Sequence, residues 1–107
     1  MVNEKVNIII KELIEELKSK YTDFKGIYFF GSHARGEAND DSDIDLAIVF
    51  DRFIDWKFKN QILSIVSEKE IKYDSIIDSI ILNSLEKRKP KEFLVYELNK
   101  EGILYGT

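Results

Sequence analysis

The sequence contains no cysteine and only one histidine, one proline and one methionine in 107 residues. Without cysteine the chain can form no disulfide, zinc finger, iron–sulfur cluster or thiol nucleophile, and a single histidine excludes any site that needs two imidazoles. The scarcity of proline, together with 44% hydrophobic residues, argues against long disordered segments. A catalytic or metal site in this chain therefore cannot depend on thiols or on paired imidazoles.

Long apolar runs and an excess of positive charge are also missing. The apolar stretches are short, such as Ile8–Ile10, and none approaches the ~20 residues of a membrane span. Residues 1–11 show neither the apolar core nor the cleavage site of a signal peptide, so we expect a cytoplasmic protein. The net charge is -4, whereas proteins that bind nucleic acid mainly through its phosphates are usually basic. Direct nucleic-acid binding is therefore not expected.

The length and the apolar periodicity predict one domain of α/β class, with helices packed against a single sheet. Apolar residues at spacings of three and four predict the helices, and continuous apolar runs predict buried strands. The predicted helices are Val6–Leu17, Asp55–Lys69 and Pro90–Lys100, with a further helix after Gly31-Ser32, and the predicted strands are Ile27–Phe30, Ile44–Phe50, Ser75–Leu82 and Ile103–Tyr105. In the second of these helices, the expected apolar face comprises Trp56, Ile62, Leu63, Ile65 and Val66.

Five acidic residues fall within the nine positions from Glu37 to Asp45, with no basic residue among them. Asp43 and Asp45 are two residues apart at the start of a predicted strand, so both carboxylates project from the same side. A solvated acidic loop is one interpretation. A metal site is favoured because Asp45 stands at the mouth of a buried strand, and carboxylate oxygens are the ligands that Mg²⁺ prefers.

Gly31 and Ser32 end the first predicted strand abruptly. A glycine there permits a tight turn and lets a phosphate approach the backbone, while Ser32 could cap the next helix or bind that phosphate. A third acid, Asp78, lies within the apolar run of the predicted strand Ser75–Leu82, where an ionised carboxylate is costly unless it is paired or metal-bound. The alternative is an ordinary charge at the end of an exposed edge strand. Asp74, four residues earlier and expected in a loop, is the competing candidate.

One pattern in the sequence resembles the nucleotidyltransferase signature of the DNA polymerase beta superfamily. It consists of Gly31-Ser32, ten intervening residues and then Asp43-Ile44-Asp45. The longer strings at residues 31–37 and 41–46 are similar to its minimal branch, the MNT proteins. Those proteins are often encoded beside a HEPN-domain partner as a toxin–antitoxin pair. The resemblance extends along nearly the whole chain, including residues 100–105.

The resemblance implies a single nucleotidyltransferase domain over residues 1–107, with a short mixed β-sheet flanked by helices. It implies two Mg²⁺ ions held by Asp43, Asp45 and a third acid on a later strand, which we match to Asp78; all three are then catalytic. It also implies ATP as substrate, with its phosphates near Gly31 and Ser32. Minimal members paired with HEPN toxins transfer AMP to a tyrosine of the toxin, so a HEPN-domain toxin is the expected partner.

Arg35 is a further candidate for nucleotide binding, since its planar guanidinium suits phosphate oxygens, but it could instead pair with Glu37 or another nearby acid. Larger relatives carry an extra domain that binds the acceptor, and 107 residues leave no room for one. The acceptor would then be held by the rim of this domain, by a second copy of the chain in a homo-oligomer, or by a partner chain.

Two other functions stay open from the sequence. The chain could be a binding module that neutralises its partner by covering it, using the basic segment Lys87–Lys91 and the aromatic residues Phe93 and Tyr96. We favour a simpler interpretation of those residues, in which a solvated turn is followed by an ordinary helix that faces the core. Transfer of a nucleotide to a small molecule or to an RNA end is the third hypothesis.

Overall fold

The computed structural model describes residues 4–30, 43–84 and 103–105. The elements within these residues are, in chain order, α1 (Glu4–Lys20), β1 (Phe24–Phe30), β2 (Ile44–Phe50), α2 (Trp56–Tyr73), β3 (Ile77–Asn83) and β4 (Ile103–Tyr105). The four strands form one sheet in the order β3-β2-β1-β4. Strands β2 and β3 are parallel, whereas β1 runs antiparallel to both β2 and β4. This architecture confirms the predicted fold class and the mixed sheet.

Both helices pack on the same face of the sheet and enclose the main hydrophobic core. In α1 the apolar residues recur at spacings of three and four, which places them on one side of the helix. The buried residues of the two helices are Val6, Ile9, Ile10, Leu13 and Leu17 in α1 and Phe58, Ile62, Ile65 and Val66 in α2. Strands β1, β2 and β3 contribute residues to the same cluster, including Ile27, Phe29, Leu46 and Ile48.

A small network of ion pairs joins α1 to α2. Lys69 Nζ lies 3.1 Å from a carboxylate oxygen of Glu16 and 3.5 Å from one of Glu12, and Lys72 Nζ lies 2.9 Å from Glu12. The hydrogen bond from Lys72 holds the pKa of Glu12 below its ordinary value, and the one from Lys20 does the same for Glu16. Burial opposes the charge of Lys69, but its bonds to Glu16 and Glu12 outweigh that effect and raise its pKa. The network thus adds ion pairs to the apolar packing between the two helices.

Helix α2 differs from its prediction at two points. Trp56 is 69% exposed, with Lys57 Nζ 5.7 Å from the centre of its ring, so its assignment to the apolar face was wrong. The buried aromatic residue of the first turn is Phe58, which lies four residues before the buried Ile62 and so on the same face of the helix. Asp55 caps the helix, and its carboxylate accepts the Phe58 N–H at 2.8 Å. The helix also continues to Tyr73, four residues beyond the predicted end.

Strand β1 begins at Phe24, three residues before the predicted start. Its register against β2 shifts between Phe24 and Gly26, and Gly26 has a φ of 145°, which favours glycine. Beyond this bulge the side chain of Phe24 still packs into the core, where its ring centre lies 5.7 Å from that of Phe50. The strand therefore continues through the bulge at Gly26 to Phe24.

Several predictions concern residues outside the described ranges. These are the helix after Gly31-Ser32, the helix Pro90–Lys100 and the basic segment Lys87–Lys91. The short strand Ile103–Tyr105 is confirmed and pairs with β1, Ile103 opposite Phe29. Neither α1 nor α2, the helices in the described part of the chain, is long and apolar enough to cross a membrane.

Candidate active site

The sheet face opposite the helices carries the candidate site, and its side chains lie in three successive rows across β1, β2 and β3. Strand register gives the rows as Phe30, Asp45 and Asp78, then Tyr28, Ala47 and Ile80, then Gly26, Val49 and Leu82. Apart from Gly26, the second and third rows are apolar, and with Phe30 they form a second hydrophobic cluster. Two carboxylates therefore stand at the end of an otherwise apolar surface.

Asp45 and Asp78 are direct register partners on the parallel strands β2 and β3. Partners in adjacent strands project to the same face of the sheet, and their backbones are ~4.8 Å apart. We refer to these two residues as the acidic pair. Asp45 is half-buried and Asp78 is exposed, while Asp43 is exposed and lies immediately before β2, two residues ahead of Asp45. The fold thus brings two of the three predicted aspartates side by side and places the third at the entrance to the same strand.

The pairing of β2 with β3 continues past the acidic pair towards Asp43. The Ile44 N–H donates to the Ile76 carbonyl at 2.9 Å, which ties the residue between Asp43 and Asp45 to the start of β3. The register that aligns the acidic pair is therefore held by a backbone hydrogen bond one residue away. The three aspartates share one end of the β2–β3 ladder.

The described residues bear on the predicted magnesium site in two ways, through their spacing and through their donor chemistry. Among residues 4–30, 43–84 and 103–105, no three acidic or histidine side chains lie close enough together to hold a metal ion by themselves. The donor chemistry of Asp43, Asp45 and Asp78 nevertheless fits Mg²⁺, which usually takes one or two protein carboxylates and completes its coordination with water and substrate phosphates. Two carboxylates on one face, next to a phosphate-bearing substrate, would meet that requirement.

Asp74, the competing third acid, has a structural position. It follows the last residue of α2 with φ 49° and ψ 53°, in the left-handed region, and its N–H donates to the Glu70 carbonyl. Aspartate and asparagine tolerate this conformation better than most residues. Asp74 is thus the C-cap of α2 and lies outside β3, whereas Asp78 is the register partner of Asp45.

Gly31, Ser32 and Arg35, the predicted nucleotide-binding residues, lie outside the described ranges. Their connection to the site is nevertheless fixed by the chain. Phe30, the last residue of β1, is the antiparallel register partner of Asp45, and Gly31 follows it directly in the sequence. The Gly31-Ser32 pair therefore begins one residue from the position opposite Asp45.

One contact beside the acidic pair was not predicted from the sequence. The side chain of Glu70, in the last turns of α2, accepts a hydrogen bond from the Ile77 N–H at 3.0 Å. Ile77 is the first residue of β3 and immediately precedes Asp78. No local pattern marks Glu70 for this role, because the contact depends on how the chain turns between the helix and the strand.

The chain is similar to known proteins over most of its length. Residues 10–103 match the model of the nucleotidyltransferase domain family. The protein MJ0141 of Methanocaldococcus jannaschii is 31% identical over 96 residues, which are 89% of this chain and 93% of that protein. MJ0604 of the same organism is 38% identical over 73 residues, 67% of this chain and 68% of its own. The names of both describe candidate protein adenylyltransferases.

Solved structures share the fold over most of the chain. A crystal structure of a candidate nucleotidyltransferase from Sulfolobus solfataricus is 25% identical, with a TM-score of 0.63, covering 94% of this chain and 81% of that one. A toxin–antitoxin structure with AMP-PNP gives a TM-score of 0.66 at 22% identity, over 91% and 73% of the two chains. A structure of tri-AMPylated Shewanella oneidensis HEPN toxin with MNT antitoxin gives 0.62 at 20% identity, over 94% and 72%. At their lower identities, the last two show similarity of fold alone.

Proposed function

Because the chain belongs to the nucleotidyltransferase domain family, we propose that it transfers AMP from ATP to a hydroxyl group of a partner protein. Asp43, Asp45 and Asp78 are the proposed catalytic residues and Mg²⁺ ligands, with two ions bound together with the nucleotide. The domain 1–107 is the proposed catalytic unit.

The register of Asp45 with Asp78 is the observation that carries this proposal. Two carboxylates in adjacent strands repel each other, and a fold gains little from that arrangement unless a cation lies between them. Asp45 of the pair is also the register partner of Phe30, after which the chain passes to Gly31. The pairing of β1 with β2 thus sets Asp45, a proposed metal ligand, opposite the residue that precedes Gly31. A glycine at that position would let a phosphate approach the backbone.

In the proposed reaction the acceptor hydroxyl oxygen bonds to the α-phosphorus of ATP, the bond from that phosphorus to the β-phosphate oxygen breaks, and pyrophosphate leaves. Asp78 is exposed and would accept the hydroxyl proton, since a carboxylate within hydrogen-bond reach can act as the general base. Asp45 and Asp43 would hold the nucleotide phosphates in place through the bound cations. Mg²⁺, when bound, supplies neutralisation of the charge on the attacking and leaving oxygens.

Gly31, Ser32 and Arg35 are the proposed contacts to the triphosphate. The glycine would allow the phosphates to approach the backbone, the serine would offer its hydroxyl and N–H, and the arginine would provide a planar pair of donors. The sequence of this segment and the position of Phe30 beside Asp45 support these roles.

A tyrosine of a HEPN-domain toxin is the proposed acceptor, which would make this chain the antitoxin of the pair. Two observations support the choice. The similar proteins from M. jannaschii are named for protein adenylylation, and one similar structure contains an AMPylated HEPN toxin with its MNT antitoxin.

The test is to incubate the purified chain with ATP, Mg²⁺ and a HEPN-domain protein encoded beside it, and to measure the intact mass of that protein. We expect the mass to rise by whole AMP units, and the gain to disappear with Asp45→Asn. Asp74→Asn is the matched control, because it also neutralises one aspartate near β3 but should leave transfer intact. An unchanged partner mass with the wild-type chain would contradict the proposal.

A protection assay in cells distinguishes sequestration of the toxin from catalysis. The double variant Asp43→Asn/Asp45→Asn should fail to protect cells that express the toxin, although it should still bind the toxin. Protection equal to that of the wild-type chain would instead favour a non-catalytic binding module. Transfer of AMP to an RNA end or to a small molecule would mean that the acceptor is not a protein.

A further inference from the structure

The connection between α2 and β3 is built around one residue, Glu70. After the last helical residue, Tyr73, the chain turns through Asp74 in the left-handed region. The N–H groups of both Asp74 and Ser75 donate to the Glu70 carbonyl, the latter at 3.1 Å. The side chain of Glu70 then reaches past this turn to the Ile77 N–H, 3.0 Å from Oε2. One helical residue therefore binds three of the first four N–H groups after the helix.

The peptide unit between Ile76 and Ile77 is consequently held from both sides. Its carbonyl accepts the Ile44 N–H of β2 at 2.9 Å, and its N–H donates to Glu70 at 3.0 Å. Within the described sheet β3 is an edge strand, so this N–H points away from β2 to the side where no described strand pairs with it. The carboxylate of Glu70 supplies the acceptor that a neighbouring strand would otherwise provide. We call this double attachment the peptide clamp.

The peptide clamp lies among the three aspartates. On the β2 side it ends at Ile44, which separates Asp43 from Asp45, and on the β3 side it ends at Ile77, which precedes Asp78. Rotation of this peptide about the strand axis would turn Asp78 relative to Asp45. Packing of the buried Ile44 and Ile77 side chains places the strand, but the clamp sets the orientation of its first peptide.

We propose that Glu70 is a positioning residue for the acidic pair, acting through the Ile77 N–H to orient Asp78 for metal binding. This inference rests on the proposed function, because it assigns Glu70 to the same site. Partners that orient metal-binding groups commonly affect metal affinity or activity by about 10–100-fold when they are removed. Glu70 itself does not contact the acidic pair in this role, so it is not a catalytic residue.

The experiment compares Glu70→Ala, Glu70→Gln and the wild-type chain, with Glu68→Ala as the matched control from an exposed position of the same helix. Three quantities are measured: amide hydrogen exchange of Ile77 by NMR, Mn²⁺ affinity by EPR titration without nucleotide, and the rate of AMP transfer. Glu70→Gln retains a side-chain oxygen at the same reach. If Glu70→Ala does not fold, Glu70→Asp replaces it, because the shorter side chain keeps the charge but withdraws the carboxylate.

We expect Glu70→Ala to accelerate exchange of the Ile77 amide, to weaken Mn²⁺ binding about tenfold and to slow transfer by about 10–100-fold. Glu70→Gln should restore most of each quantity, and Glu68→Ala should match the wild type. Faster exchange at Ile77 with unchanged Mn²⁺ affinity and transfer would overturn the inference and leave Glu70 with a purely structural role. Absence of transfer by the wild-type chain would refute the proposed function instead, while exchange and Mn²⁺ binding would still decide the role of Glu70.

Discussion

Replacing Asp78 by asparagine should stabilise the metal-free chain while abolishing nucleotidyl transfer. Asp45 and Asp78 are partners on adjacent strands, so their carboxylates can be taken as ~6 Å apart. At that distance two negative charges repel by about 0.7 kcal/mol at a dielectric constant of ~80 and about 1.4 kcal/mol at ~40. Because Asp78 is exposed, solvent screening keeps the repulsion near or slightly below the smaller of these values, roughly 0.5–1 kcal/mol.

Thermal unfolding followed by circular dichroism, at low salt and without divalent cations, measures this difference. For a chain of 107 residues, 1 kcal/mol corresponds to roughly 4–5 °C in Tm, so Asp78→Asn should raise Tm by about 2–5 °C. Glu68→Gln, at an exposed position on α2, is the control for simply removing one negative charge, and it should change Tm less. The gain should also shrink at ~1 M salt, where the Debye length falls to about 3 Å.

Two results would refute the reasoning. One is a Tm for Asp78→Asn equal to or below that of the wild type at low salt. The other is a gain matched by Glu68→Gln, which would reflect total charge and not the acidic pair. In the presence of MgATP the order should reverse, since a ligand that binds the wild-type site stabilises that fold by mass action.

Three further outcomes are expected. Asp74→Asn should retain the wild-type rate of AMP transfer, because asparagine also accepts the left-handed C-cap conformation; loss of transfer would make Asp74 the third acid. Phe50→Ala should cost about 3–5 kcal/mol in urea unfolding, since Phe50 is fully buried against three aromatic rings, and a loss below ~1 kcal/mol would contradict that packing. Lys69→Met should destabilise the chain most near neutral pH. The pKa values of Glu12 and Glu16 lie below their ordinary 4.5, so their stabilisation is present above that pH and is lost as pH falls through the lowered values. The difference in Tm between variant and wild type should therefore close in acid, and a gap that is constant with pH would exclude the ion pairs as its cause.

The elements with the strongest apolar patterns were predicted closely from the sequence. Strand β2 spans Ile44–Phe50 as predicted, because every residue between Asp43 and Asp51 except Asp45 is apolar, which leaves little choice of ends. Helix α1 contains the whole predicted segment, since Val6 to Leu17 repeats at helical spacing. The ends of β2 and the helical periodicity of α1 are both determined by local sequence, so both could be predicted from it.

Features that depend on pairing between distant residues could not be predicted in this way. The register that sets Asp45 beside Asp78 is a property of two strands together, and sequence placed both acids on strands without aligning them. The end of α2 depends on the left-handed backbone at Asp74, which no spacing rule reveals. The assignment of Trp56 to the apolar face, by contrast, was avoidable, because helical spacing groups Phe58 with Ile62 on the buried side and leaves Trp56 on the exposed side.

The most direct test of nucleotidyl transfer is a pair of parallel reactions, with ATP labelled in the α-phosphate in one and in the γ-phosphate in the other. Each contains Mg²⁺, the wild-type chain and a HEPN-domain protein as the proposed acceptor, and Asp45→Asn is run alongside. We predict that label reaches the acceptor protein only from the α-phosphate, and that Asp45→Asn abolishes it. Label arriving only from the γ-phosphate, or from neither position while the two proteins bind, would contradict the account.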